Sequence, residues 1–70
     1  MKLFFTDAAK NRVLVAEADS FAELLAPMIE HQRSRFIYSA GTFTPPGKME
    51  PGSAYCVYSD NKGMTYTVEN

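Results

Sequence analysis

DSFAELLAPMIEHQR, residues Asp19 to Arg33, is the stretch whose reading decides the fold. An advance of about 100° per residue from Phe21 brings Phe21, Leu24, Leu25, Met28, Ile29 and Gln32 to one side. Glu23 and Glu30 fall nearly opposite. That spacing predicts an amphipathic helix packed by a single face. Its start is marked by Ser20, which can accept from early backbone N–H groups, and by Glu23, which can reach back in a capping box. Asp19 and Glu23 suit the positive end of the helix dipole, and His31, Arg33 and Arg35 suit the negative end. Pro27 opposes this pattern, at about 3 kcal/mol in a helix interior, because it removes a donor and crowds the preceding turn. The apolar stripe keeps its phase through Pro27, so a kinked helix is expected rather than two separate pieces.

Outward from the helix, β-strand signals appear on both sides. Lys2–Thr6 (KLFFT) and Arg12–Ala16 (RVLVA) read as a hairpin turned by Asp7–Asn11, with Asn11 as the left-handed residue. After the helix, Arg35–Ala40 (RFIYSA) reads as a third strand, with Phe36 and Tyr38 on one side and Ile37 on the other. Residues 41–53, GTFTPPGKMEPGS, hold three prolines and three glycines and read as a long loop. Ala54–Ser59 and Met64–Val68 form the clearest pair, joined through Asp60–Gly63, where Gly63 supplies the positive φ of a hairpin turn. The expected fold is α+β in the order β-β-α-β-β-β, one Pro-kinked helix on a mainly antiparallel sheet, in a single small domain spanning 1–70.

Seventy residues with 46% hydrophobic content can form a small core, and self-association would help to stabilise it. A net charge of −1 gives no global attraction to nucleic acid or acidic membranes. The first residues are too briefly apolar for a secretory signal, and no run approaches the roughly 20 residues of a membrane span. With one cysteine and therefore no internal disulfide, the chain is expected to be cytoplasmic.

Catalysis finds little support. His31 and Cys56 are each unique, and a thiol–imidazole pair would need them within hydrogen-bond reach. The carboxylates are dispersed over turns, caps and the outer helix face, the metal-ligand spacings are missing, and no glycine pattern cradles phosphate. No enzyme activity, cofactor or metal is expected.

Apolar or aromatic side chains, by contrast, occur on both faces of most strands, while one helix can cover only one face. The second sheet face is therefore the expected partner surface, with Phe36, Tyr38, Tyr55 and Tyr58 as its pool and Phe43 and Met49 of the loop flanking it. Regular alternation puts Tyr55 and Tyr58 on opposite faces, so only one of them belongs there. A competing arrangement folds the loop back over that face, with Phe43 or Met49 as the plug. The reading that follows is a small non-catalytic protein-binding module of accessory, adaptor or inhibitor type. Its partner is another protein or itself, as a homodimer, and no membrane is involved. One alternative is nucleic-acid binding by His31, Arg33 and Arg35 with the aromatic strands; another is thiol chemistry at Cys56.

Overall fold

Two hairpins build the sheet, and each is turned by an aspartate. In the computed structural model, which describes residues 1–35 and 41–70, β1 (Lys2–Thr6) pairs antiparallel with β2 (Arg12–Glu17), and β4 (Ala54–Ser59) with β5 (Thr65–Glu69). Asp7 Oδ1 accepts from the backbone N–H groups of Ala9 and Asn11, both at 2.9 Å, and Asn11 also donates its side-chain amide to Oδ2. The carboxylate thus holds a turn that two alanines would leave loose. Its left-handed residue is Lys10 (φ 70°), not Asn11, whose amide is engaged by Asp7. Asp60 repeats the device, accepting from Lys62 and Met64, and Gly63 takes the expected positive φ of 86°.

The strand order is β2-β1-β5-β4-β3, an antiparallel five-stranded sheet in an α+β fold. β1 and β5, from opposite ends of the chain, pair with each other at its centre. Of the third strand expected at Arg35–Ala40, only Arg35 is described. Arg35 lies in a turn, and 36–40 fall outside the described residues. Among the described residues the next strand, β3, is Thr42–Phe43, within the stretch expected to be loop, and it pairs with Ser59 and Tyr58 of β4. Gly41 permits this placement: a Cβ there would lie 2.4 Å from the Tyr58 ring.

The helical segment has two parts, a 3-10 turn (Ala22–Leu24) and α1 (Leu25–Ser34). Pro27 is the third residue of α1. Backbone N–H groups in a first turn have no partner within the helix, so the missing donor costs no hydrogen bond. The expected capping box on Ser20 is not formed. Glu23 accepts from the N–H of Asp19, while neither helical start has a side-chain cap.

Register decides which residues face the helix. β2 and β4 each carry a bulge: Val15 is extra between the pairs Leu3↔Ala16 and Phe4↔Leu14, and Val57 between Cys56↔Thr67 and Tyr58↔Tyr66. An extra residue resets alternation. Among the described residues the core is Leu3, Phe5, Leu24, Met28, Val57, Tyr58, Tyr66 and Val68, all between helix and sheet. No described helix is long and apolar enough to cross a membrane.

Candidate binding surface

A single row of opposed residues crosses all five strands on the helix side: Val13, Phe5, Tyr66, Tyr58, Phe43. Its three central members are buried, at 2%, 0% and 4% exposure, while Val13 and Phe43 at the two edges are 49% and 43% exposed. The cause is geometric. Five strands spaced about 4.8 Å apart make a sheet about 19 Å wide, whereas a helix with its side chains is about 10 Å across. One helix therefore covers the middle and leaves apolar ends.

At the β3–β4 side the exposed group is Phe43 with Tyr55. Phe43 stacks on Phe21 of the helical entry, ring centroids 6.2 Å apart and 20° between planes. Tyr55 opposes Val68, so it shares the helix-side face, yet it is 38% exposed. Met49 is half buried and packs on the same core cluster, and its carbonyl accepts from the Asn70 side chain at 3.0 Å. Backbone bonds also tie residues 41–53 to the sheet: Thr44 donates to Val57, and Gly52 donates to Asn70.

These positions correct the sequence reading of the surface. Tyr55 and Tyr58 oppose Val68 and Tyr66 of β5 and therefore share a face, because the Val57 bulge inserts one residue between them. Tyr58 belongs to the core, not to the second face. Phe43 and Met49 neither flank nor plug the second face, since both lie on the helix side. Phe36 and Tyr38 are outside the described residues. The second face is largely polar. It carries Lys2, Thr6, Arg12, Glu17, Thr42, Ser59, Thr65, Thr67 and Glu69, with Phe4, Leu14 and Cys56 as its larger apolar side chains. Arg12 covers Phe4, its guanidinium carbon 3.6 Å from the ring centroid, and bonds to Glu69 beyond it.

His31 and Cys56 lie on opposite sides of the sheet, so they form no thiol–imidazole pair. Cys56 is exposed, with its Sγ 3.3 Å from the Tyr58 carbonyl oxygen. His31 is paired with Tyr66, its Nδ1 lying 2.7 Å from the phenolic oxygen. The imidazole also sits 4.8 Å from the Phe5 ring and edge-on to Tyr66. Burial lowers its pKa below the usual histidine value, and the nearby Arg35 cation lowers it further. Burial, with Tyr58 alongside, pushes the Tyr66 phenol up to about 12. A neutral imidazole accepting from a neutral phenol is the state these shifts favour. The pairing rotates α1 so that Met28 and His31, rather than Ile29, face the sheet; Ile29 is 46% exposed.

Three of the basic residues can be placed by face. Arg35 lies over Phe5 on the helix side, 5.2 Å from its centroid, whereas Arg12 and Lys2 are on the second face. Lys2 stands 4.0 Å from Glu17, an exposed contact.

Sequence reasoning did not foresee that Val13 and Leu14, on opposite faces of β2, and Ile29 of α1 stand exposed. A comparison of sheet width with helix diameter would have flagged both edges. No protein-family model matches this chain, and no curated protein or solved structure is significantly similar to it.

Proposed function

We propose that this chain is a small cytoplasmic protein-binding module without catalysis, and that it holds another protein through the β3–β4 edge of its helix side. The observation that carries the reading is the exposed stack of Phe43 on Phe21, with Tyr55 on the same face and Met49 of the loop beside the core. Rigid aromatic side chains on strands give large contact area at low entropic cost, and such residues dominate binding energy at interfaces. β3 is only two residues long, so the ligand is held by side chains rather than by a long added strand.

Affinity capture from the source cell tests this with the native chain and with Phe43→Ala and Tyr55→Ala variants. The expected result is a partner held by the native chain and lost from both variants, with affinity reduced at least about tenfold, or 1.4 kcal/mol, per aromatic side chain. Equal recovery by all three chains would overturn the reading. Treating the captured material with nuclease separates a protein partner from the nucleic-acid alternative, whose binding should also fall steeply with salt.

A further inference from the structure

We propose that two copies of this chain associate through β2, strand against strand and antiparallel, about a two-fold axis near the middle of the strand. This surface lies at the opposite edge of the sheet from Phe43 and Tyr55, and it rests on separate observations.

β2 is the outer strand on its side, and among the described residues nothing pairs with its outward N–H and C=O groups. That open ladder selects an extended strand as occupant. Val13 on the helix side and Leu14 on the second face are each 49% exposed, so an added strand would shelter apolar surface on both faces. Ile29 emerges from α1, which packs beside β2. Of the usual defences of an edge, Arg12–Glu17 has the bulge at Val15 but no proline and no lysine. Arg12 leans inward over Phe4 to Glu69, and the Val15 bulge leaves Arg12–Leu14 regular.

Charge selects a second copy. The strand begins with Arg12 and ends with Glu17, both on the second face. Antiparallel pairing brings each Arg12 to the other copy's Glu17, whereas parallel pairing would set like beside like. The row Glu69, Lys2, Glu17 already alternates in sign across three strands. Arg12 of the partner subunit is its next member. In the dimer the Arg12 guanidinium, which in the single chain leans inward to Glu69, turns outward to the partner's carboxylate.

Sedimentation velocity of the native chain over a concentration series should give a reversible dimer with a dissociation constant on the order of 10 µM. Leu14→Lys, at an exposed site that leaves circular dichroism and the urea midpoint unchanged, should weaken it about tenfold or more, and Phe43→Ser should leave it intact. Arg12→Glu and Glu17→Arg should each weaken self-association, while mixing the two variants restores a dimer, because antiparallel pairing then opposes unlike charges at both ends. A native monomer throughout the series overturns the proposal. So does a dimer that survives Leu14→Lys but is lost in Phe43→Ser, and failure of the mixture to recover overturns the antiparallel arrangement.

Discussion

Removing the imidazole of His31 should cost more than removing the hydroxyl it binds. In His31→Ala the Tyr66 oxygen, on a ring with 0% exposure, loses the nitrogen 2.7 Å away. A buried hydroxyl left without a partner costs about 1–3 kcal/mol. Loss of the ring contacts with Phe5 and Tyr66 adds roughly 0.5–1.5 kcal/mol. In Tyr66→Phe both the donor and its need disappear, and the half-buried imidazole can turn to water, so the cost is about 1 kcal/mol. Seventy residues imply a total stability of roughly 4–10 kcal/mol, so His31→Ala removes a large fraction. Urea unfolding followed by circular dichroism measures both variants and the double variant. The double variant should be less destabilised than the sum of the singles, with a coupling of about 1–2 kcal/mol. Additive losses, or His31→Ala no worse than Tyr66→Phe, would refute the assigned role.

The same pair sets a pH window. His31 has a folded pKa below its ordinary 6.5, so the unfolded chain binds more protons as pH falls. Stability is full above about pH 6.5 and declines below it, down through the folded pKa; a urea midpoint unchanged on acidification through this range in the native chain, relative to His31→Gln, would contradict this. Tyr66 moves from 10.0 to about 12, so stability holds up to pH 10 and is lost between there and 12, which phenolate difference spectroscopy can follow. Gly41→Ala drives a methyl to within 2.4 Å of the Tyr58 ring and should cost about 1–3 kcal/mol by thermal denaturation, while Gly47→Ala, in open space, should cost little. Pro27→Ala should change stability by less than about 1 kcal/mol, because Pro27 occupies a first helical turn; a gain near 3 kcal/mol would mean that it interrupts the ladder.

Much of the fold was legible because it depends on local chemistry. The period of Leu24, Leu25 and Met28, the alternation of Tyr66 and Val68, and the turn at Gly63 all act over a few residues, and each emerges as read. The bulges were not legible. Val15 and Val57 sit in unremarkable β-branched runs, and what makes each the extra residue is the partner strand across the sheet. One unseen insertion then reversed the facing of Tyr58, and with it the identity of the aromatic surface. Thr42–Phe43 was hidden for a related reason. Two residues have no periodicity, and their strand character comes from β4 and from the Tyr58 ring seated on Gly41. Of the surface candidates, Phe43 and Tyr55 are exposed, but on the helix side rather than on the second face. Cover was counted as one helix for one face, without asking how wide that face is.

The direct pairing of Lys2 with Glu69 has a bearing on how the molecule comes into being. β1 must wait for β5 before the middle of the sheet exists, so the early β1–β2 hairpin passes its first moments with its inner border open. Closing so long a loop is entropically slow, and the waiting hairpin is the species most exposed to mispairing. Because Lys2 and Glu69 stand opposite each other, a short tether could lead from β5 into β1. Reopening the ring in the Asp60–Gly63 turn would then give a permuted molecule in which the central pair is made by neighbours, and which should reach the same architecture sooner.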